Sequence, residues 1–423
     1  MPEDKKLKVL VLSDHALSTS GVGTQTRHLL NGLLEKYPGQ WTFRQFGAAL
    51  KHTDYETIAV NDDFIIKPID GFGDKNLIRV TLATEKPDIL FIFTDPRFFI
   101  WLFEMEDEIH QICPIIWWHV WDNLPYPKYN QALYEATDVI NCHSHLTYTM
   151  LKDSLPDQEK DKVRFLPHTI PGDIFYRCPA EDILNIKKSI LGPDKVDVFT
   201  GIWVNRNAKR KRSADVLWAW KDFLDKLEKK HGHRDAVLIM HTDPMDQEGT
   251  NLYMVSEMLN IHNSVFFSKD RLDFDKMNAL YNVSDFCLNI SYAEGFGLST
   301  LESMMTGTPI IAVKTGGLSR QVIDHRDGTE NGVALEVETQ TMVGSQAVPY
   351  IYEDYSSIGA ISDGILKIYE LDEKEKESLS KKVEEYANDQ FNHSDMIDVW
   401  HKSLKDVHAT WSKRRKAWSC YTY

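Results

Sequence analysis

The stretch over residues 291–312, SYAEGFGLSTLESMMTGTPIIA, holds the densest group of side chains that could do chemistry. It follows an apolar strand, FCLNI, and leads through a loop into a helix that we expect to begin near Leu298 and to carry Glu302. The loop consists of Glu294, Gly295, Phe296 and Gly297. A helix N-terminus attracts phosphate, and glycines let a ligand approach the backbone. Since a carboxylate beside phosphate would be repelled, we expect Glu294 and Glu302 to bind sugar hydroxyls on either side of it.

A second group is the basic loop GIWVNRNAKRKR at residues 201–212, between a predicted strand and a predicted helix. Its cations are Arg206, Lys209, Arg210, Lys211 and Arg212. Fixed cations could stabilise negative charge that builds on a diphosphate leaving group. A solvated basic turn is the alternative interpretation.

The remaining candidates lie nearer the N-terminus. Gly21 and Gly23 sit in a glycine-rich loop after the first strand, but Thr26 replaces the third glycine of a dinucleotide-binding GxGxxG motif. No GxxxxGK[ST] motif is present, which argues against a P-loop kinase or ATPase. His119 and Asp122 follow a buried strand in IIWWHVWDN, where a histidine can be structural or functional.

Two of these segments resemble the signature of retaining glycosyltransferase family 4. Residues 294–311, EGFGLSTLESMMTGTPII, match its E-G-F-G-L-x-x-L-E-(A/S)-M-x-x-G-T-P-(I/V)-(I/V) motif almost without interruption. Residues 206–211, RNAKRK, are similar to its R-N-x-x-R-K element. One departure is the turn after Gly316 and Gly317, which continues Leu-Ser-Arg where many members have a glutamate.

The resemblance implies a role for each matching residue. It implies that Glu294 contacts the donor hexose, Glu302 holds the ribose hydroxyls, and Arg206 and Lys211 clamp the diphosphate. The implied catalytic residues are Arg206, Lys211, His119 and Glu294. The implied donor-binding residues are Gly21, Gly23, Glu294, Gly295, Phe296, Gly297, Leu298 and Glu302. The implied reaction retains anomeric configuration without a metal or other cofactor, and a UDP-sugar is the expected co-substrate.

The length and composition indicate the number of domains and argue against several other classes of protein. With 423 residues, 42% of them apolar, the chain is expected to form two domains. A formal charge of −15 argues against a general polyanion-binding protein. The five cysteines form no CxxC pair, and Cys142, His143 and His145 lack a second ligand pair for zinc. Without a signal peptide or a long apolar run, we expect a cytoplasmic protein, in host cytoplasm if it is viral.

Apolar runs that alternate with helical patterns predict two α/β units. The resemblance implies the GT-B fold, two Rossmann-like domains facing across a cleft, with the C-terminal helix crossing back to the N-terminal domain. We expect an acceptor domain at residues 1–172, a donor domain at 173–395 and the returning helix at 396–423. The strands are predicted at residues 8–13, 89–93, 115–118, 139–142, 163–166, 197–204, 236–241, 265–267, 285–290 and 309–313.

The acceptor is the least determined part of the prediction. N-terminal strings such as FGAALKH (residues 46–52) are similar to glycosyltransferases of tailed bacteriophages, which would make a hydroxymethylated pyrimidine in DNA a plausible acceptor. Such a base would have to flip out of the duplex. Stacking surface and phosphate contacts could come from Trp101, Trp117, Trp118, Trp121 and the basic tail at residues 413–416. A saccharide or lipid-linked acceptor is the alternative, and a nucleotide-sugar epimerase or a non-catalytic sugar- or DNA-binding protein are the rivals of another class.

Overall fold

The structure, a computed structural model, describes residues 5–49 and 54–414, with side chains described as far as residue 411. The chain divides into two compact units. The N-terminal unit contains residues up to 121, residues 126–169 and the stretch from residue 393 onward. The C-terminal unit contains residues 122–125 and 170–392.

The N-terminal unit is built on an eight-stranded sheet in the order β3-β4-β2-β1-β5-β6-β7-β8. All neighbouring strands in it are parallel except β3 and β4. Its strands are β1 (Leu7–Asp14), β2 (Trp41–Ala48), β3 (Ile58–Asn61), β4 (Phe64–Pro68), β5 (Ile89–Thr94), β6 (Ile115–His119), β7 (Val139–Cys142) and β8 (Val163–Phe165). Its helices are α1 (Gly21–Lys36), α2 (Lys75–Glu85), α3 (Ile100–Phe103), α4 (Glu106–Ile109), α5 (Gln131–Glu135), α6 (His145–Ser154), α7 (Asp157–Lys160) and, from the end of the chain, α16 (His393–Arg414).

Helix α16 completes the core of the N-terminal unit. Ile397, Trp400, Leu404 and Val407 are buried among the side chains of β1, β5 and α1. The approach is so close that a Cβ at Gly32 of α1 would lie 2.6 Å from Cδ1 of Ile397. The predicted return of the C-terminal helix to the N-terminal domain is therefore confirmed.

The C-terminal unit is built on a six-stranded sheet in the order β11-β10-β9-β12-β13-β14, entirely parallel, with a separate antiparallel hairpin of β15 and β16. Its strands are β9 (Phe199–Val204), β10 (Ala236–His241), β11 (Val265–Ser268), β12 (Phe286–Asn289), β13 (Ile310–Val313), β14 (Gly332–Leu335), β15 (Thr339–Val343) and β16 (Ile351–Tyr355). Its helices are α8 (Ala180–Leu191), α9 (Ser213–His231), α10 (Leu252–Met258), α11 (Phe274–Asn282), α12 (Leu298–Met305), α13 (Ser319–Val322), α14 (Ile358–Tyr369) and α15 (Glu373–Gln390).

Helices cover both faces of this second sheet because successive strand residues point to opposite sides. Trp203 packs in one core with Trp220 of α9 and Ile365 of α14. Its neighbour Ile202 packs in another core with Leu301 of α12 and Tyr386 of α15. The predicted α/β architecture, with two Rossmann-like parallel sheets, is confirmed.

Within the described ranges, no helix is long and apolar enough to cross a membrane. The same part of the chain contains no group of three or more His, Cys, Asp or Glu side chains that could hold a metal ion. Arg415 and Lys416 of the predicted basic tail lie outside the described residues, as do the side chains of Lys413 and Arg414.

Candidate active site

The glycine-containing loop joins the carboxyl end of β12 to the first turn of α12, as the sequence predicts. Gly297 precedes the helix with φ of +92°, a backbone conformation that residues with a side chain rarely adopt. A Cβ there would also lie 2.5 Å from Leu318 and 2.7 Å from the hydroxyl of Thr300. Residue 297 must therefore be glycine for the loop to enter the helix at this angle.

Phe296 of the same loop is a core residue. Its ring is 5% exposed and lies 5.7 Å from that of Phe391, edge to face. Its carbonyl accepts a hydrogen bond of 2.7 Å from Nε2 of Gln321. The side chain therefore anchors the loop, and any contact with a ligand falls to the backbone here and at Gly295.

Two further backbone hydrogen bonds fix the position of Glu294. The amide of Gly317 donates to the Glu294 carbonyl at 2.9 Å, and the amide of Tyr292 donates to the carbonyl of Arg210 at 3.2 Å. A Cβ at Gly316 would lie 1.9 Å from the Glu294 carbonyl oxygen. The Gly316–Gly317 turn and the basic loop thus both hold the segment of residues 292–297, which we call the Glu294 loop.

The carboxylate of Glu294 forms a buried ion pair with Lys211. Nζ of Lys211 donates to Oε2 of Glu294, and the two residues are 9% and 7% exposed. Arg210 adds a longer contact of 3.4 Å to the same oxygen and donates to the Ala293 carbonyl at 3.0 Å. Burial alone would raise the pKa of Glu294, but the charges of Lys211 and Arg210 outweigh it and lower that pKa to about 2. The carboxyl of Glu294 is therefore ionised at neutral pH, whereas burial lowers the pKa of Lys211.

Glu302 lies one turn into α12 and has a different environment. Its Oε2 accepts a hydrogen bond of 2.6 Å from the hydroxyl of the buried Tyr281 on α11. Burial raises the pKa of Glu302 to about 7, although the Tyr281 hydroxyl opposes the shift. Glu302 is half-buried with no cationic partner among the described residues, so an added hydrogen-bond donor would stabilise its ionised form.

Arg206 is paired elsewhere. Its guanidinium forms a bidentate ion pair with Asp246, at 2.7 Å from Nε and 3.1 Å from Nη2. The arginine side chain remains 64% exposed. The structure therefore gives each of the two cations predicted to clamp one diphosphate its own carboxylate, Asp246 for Arg206 and Glu294 for Lys211.

Gly21 and Gly23 lie at the N-terminus of α1, in the N-terminal unit. Ser20 caps this helix by accepting from the Gly23 amide at 2.9 Å, and its hydroxyl donates to Asp14 at 2.7 Å. A Cβ at Gly23 would come within 2.3 Å of the Ser18 hydroxyl, so Gly23 has a packing reason to be glycine. Gly21 is exposed at the first helical position, where backbone amides are available to an anion.

His119 ends β6 inside an aromatic cluster. It is fully buried, and its Nε2 lies 3.1 Å from the Tyr134 hydroxyl. Burial, reinforced by the nearby His143, lowers the pKa of His119 to about 3, so the imidazole is neutral. These contacts match a structural histidine, and a role near the donor sugar stays a prediction.

Several other polar and aromatic side chains of the N-terminal unit have local partners. Arg97 forms a bidentate ion pair with Asp95, with contacts of 2.9 and 2.6 Å. Trp117, Trp118 and Trp121 are 0%, 2% and 5% exposed, so these three rings are core side chains and do not provide stacking surface. Trp101 is half-buried and donates from Nε1 to the Phe98 carbonyl at 3.0 Å.

The sequence analysis did not identify the side chains that form hydrogen bonds or ion pairs with Glu302 and Arg206. Tyr281 and Asp246 lie far along the chain from Glu302 and Arg206, and no motif marks them. Asp122 was singled out only as a neighbour of His119. In the structure it belongs to the C-terminal unit, and its carbonyl packs against Gly316, where a Cβ would lie 2.4 Å away.

A comparison with known protein families matches the part of the chain that contains the basic loop and Glu294. Residues 200–347 match the family described as "Glycosyl transferases group 1". A D-inositol 3-phosphate glycosyltransferase of Catenulispora acidiphila is 37% identical over 82 residues, 19% of each chain. N-acetyl-alpha-D-glucosaminyl L-malate synthase of Bacillus anthracis is 26% identical over 220 residues, 52% of each chain. These matches thus span from a fifth to half the length of the curated relatives.

Solved structures extend the similarity to the whole fold. Sucrose-phosphate synthase of Thermosynechococcus elongatus superposes with a TM-score of 0.73 at 16% identity, over 96% of this chain and all of that one. The Anabaena protein Alr3699/HepE, in complex with UDP-glucose, gives 0.67 at 14% identity over 95% of this chain and all of that one. The chain therefore has the GT-B fold, and residues 200–347, within its C-terminal unit, match the group 1 glycosyltransferase family.

Proposed function

We propose that this protein is a retaining hexosyltransferase that moves a sugar from a UDP-sugar to the hydroxyl group of a small polyhydroxylated acceptor. The observation that carries the proposal is the buried Lys211–Glu294 ion pair at the start of α12, with Glu302 one turn further along. The loop before α12 thus contains a carboxylate paired with a cation, and a second carboxylate lies one turn into the helix, within the region that matches the family.

Different residues bind the ribose, the hexose and the diphosphate of the donor. Glu302, whose pKa burial raises to about 7, gains most from hydroxyl donors, as a ribose would supply. Glu294 is ionised and faces hydroxyls of the hexose. Lys211 and Arg206 stabilise the charge that develops on the diphosphate as the glycosidic bond breaks, a contribution of roughly 10²–10³ in rate for one well-placed group.

Retention of configuration follows from the family resemblance, with the acceptor attacking from the side that the diphosphate leaves. The leaving phosphate then takes the acceptor proton, so no side chain has to act as a nucleophile. The two-carboxylate scheme of glycoside hydrolases does not apply, because Glu294 is held by Lys211 and Glu302 by Tyr281. The donor domain is the C-terminal unit and the acceptor domain the N-terminal unit.

The names of the similar proteins indicate which class of acceptor to test. Their names refer to inositol phosphate, malate and sucrose phosphate, all small hydroxyl compounds, and none of them refers to DNA. We therefore favour a saccharide or polyol acceptor over a hydroxymethylated base. The formal charge of −15 also opposes tight DNA binding at physiological salt.

The test is a thermal-shift screen with UDP-, GDP- and ADP-glucose on the wild type and on Lys211→Ala and Glu302→Ala. A ligand at about 100 times its dissociation constant adds about 2.7 kcal/mol to stability. We expect UDP-glucose to stabilise only the wild type. Equal stabilisation of the variants, or none of the wild type, would contradict the assignment.

The acceptor class is then tested by incubating the wild type and radiolabelled UDP-glucose with sugar phosphates, inositol phosphate, or DNA containing hydroxymethylated pyrimidines. We expect acceptor-dependent UDP release with the small hydroxyl compounds. Label transferred to DNA would refute that acceptor class. An epimerase would convert the donor without an acceptor, and a binding protein would release no UDP.

A further inference from the structure

The hairpin strand β16 contains a buried carboxylate, Asp354, that is 4% exposed. Its Oδ2 accepts hydrogen bonds of 2.7 Å from Nδ2 of Asn123 and of 2.7 Å from the hydroxyl of Thr315. Its Oδ1 accepts a hydrogen bond of 2.7 Å from Nε2 of Gln340. One side chain therefore joins residues 122–125, the turn after β13 and the strand β15.

Asp354 has no ion-pair partner within the described ranges, so these neutral donors alone compensate its burial. A buried carboxylate costs free energy unless its oxygens are hydrogen-bonded. Asn123 is 1% exposed, and removing the carboxylate would leave its Nδ2 donating only to the Tyr352 carbonyl, at 3.1 Å. The three segments are therefore held to each other through Asp354.

One of these side-chain hydrogen bonds, from Thr315, leads to the loop that contains Glu294, and so does the backbone of Asp354. Thr315 directly precedes the Gly316–Gly317 turn, and the Gly317 amide donates to the Glu294 carbonyl at 2.9 Å. The backbone amide of Asp354 itself donates to the carbonyl of Tyr292 at 2.8 Å. Asp354 thus restrains residue 292 directly and residue 294 through the turn.

By contrast, the parts of the site assigned to the nucleotide do not depend on Asp354. Glu302 is positioned by α12 and by Tyr281, and Arg206 by Asp246. The family match also ends at residue 347, before β16, so the family similarity does not account for Asp354.

We propose that Asp354 is a positioning residue that fixes the Glu294 loop, and so sets the affinity for the hexose of the donor but not for its nucleotide. The inference rests on the proposed function, because it takes Glu294 as the hexose contact. A residue that merely anchored the hairpin would affect stability without separating these two affinities.

The experiment measures the dissociation constants of UDP and UDP-glucose by calorimetry for the wild type, Asp354→Ala and Glu294→Gln. Loss of a well-placed hydroxyl–carboxylate hydrogen bond weakens binding about tenfold. We expect the ratio of the UDP-glucose to the UDP dissociation constant to rise about tenfold in both variants, with the dissociation constant of UDP itself changing less than about threefold in Asp354→Ala. In the double variant the two effects should not add, because both act through the carboxylate of Glu294.

Thr315→Val provides a second, milder test, because valine has the shape of threonine but no hydroxyl to donate. It should raise the same ratio severalfold, and it keeps the inference testable if Asp354→Ala does not fold. Met342→Ala is the matched control on the hairpin, since its side chain is 63% exposed, and it should leave the ratio unchanged.

The outcomes separate the two proposals. A wild type that binds neither UDP nor UDP-glucose overturns the proposed function and this inference with it. A wild type that binds both, and whose ratio changes less than twofold in Asp354→Ala and Thr315→Val, overturns the inference alone. A lower melting temperature with an unchanged ratio would reduce Asp354 to a hairpin anchor.

Discussion

Glu302→Gln is expected to stabilise the unliganded protein and at the same time to weaken nucleotide binding. In the folded chain, burial raises the pKa of Glu302 from 4.5 to about 7. Each pKa unit corresponds to about 1.4 kcal/mol, so the ionised carboxylate costs the folded state about 3 kcal/mol relative to the unfolded chain. Glutamine has a similar shape, cannot ionise, and can still accept the hydrogen bond from Tyr281.

The sign of the pH dependence follows from the raised pKa. Below pH 4.5 the carboxyl is protonated in both states, and the substitution changes little. Between pH 4.5 and 7 the folded chain keeps a proton that the unfolded chain has released, so the wild type loses stability as pH rises. Above pH 7 the full free-energy cost of burying the ionised carboxylate is present. Glu302→Gln should then be more stable than the wild type by about 3 kcal/mol.

The measurement is urea unfolding of the wild type and Glu302→Gln at pH 5, 6.5 and 8, with Glu385→Gln as a control at an exposed glutamate. We expect the gain to grow with pH for Glu302→Gln and to be absent for the control. UDP binding should fall by roughly 10–100-fold in Glu302→Gln, because hydrogen bonds to a charged group are lost. A variant no more stable than the wild type at pH 8, or a gain independent of pH, would refute the reasoning.

Three further substitutions test the other parts of the site. Lys211→Met leaves the carboxylate of Glu294 buried without its main partner and should cost about 3–5 kcal/mol in urea unfolding, whereas a loss below 1 kcal/mol would show that the pair is dispensable. Arg206→Lys disrupts an exposed bidentate pair with Asp246, so the free energy of unfolding should change by less than about 1 kcal/mol while UDP affinity in calorimetry falls about tenfold; unchanged affinity would remove Arg206 from the site. Gly316→Ala places a Cβ 1.9 Å from the Glu294 carbonyl oxygen at φ of +47°, and should lower both the melting temperature and UDP-glucose affinity; a wild-type melting curve would contradict this packing.

The sequence predicts best those strands that are buried on both faces of a parallel sheet. Ala236–His241 is apolar up to its final histidine and Val139–Cys142 is apolar except for Asn141, and the structure places strands at these bounds. The strand Trp41–Ala48 was not predicted, because Arg44 and Gln45 interrupt its apolar pattern. The hairpin strand Thr339–Val343 is polar and exposed, so it carries no burial signal.

The sequence also locates the Glu294 loop and the start of α12, because glycines and a helix start are local features. It does not predict which charges meet. The Lys211–Glu294 pair spans 83 positions and the Tyr281–Glu302 hydrogen bond spans 21, and both depend on how strands and helices pack. The family resemblance implies that Lys211 binds a phosphate, whereas the structure pairs it with the carboxylate of Glu294.

The different environments of the two glutamates lead to one consequence for donor binding. Lys211 and Arg210 lower the pKa of Glu294 to about 2, whereas burial raises the pKa of Glu302 to about 7 and no cation among the described residues is paired with it. If Lys211 turns toward a diphosphate, Glu294 loses part of its compensation while it remains buried. Hexose hydroxyls that donate to Glu294 would restore this compensation, and a nucleoside diphosphate without a sugar would not. Under the proposed function, the ion pair would couple recognition of the sugar to recognition of the diphosphate, and it would favour the complete donor over the spent nucleotide.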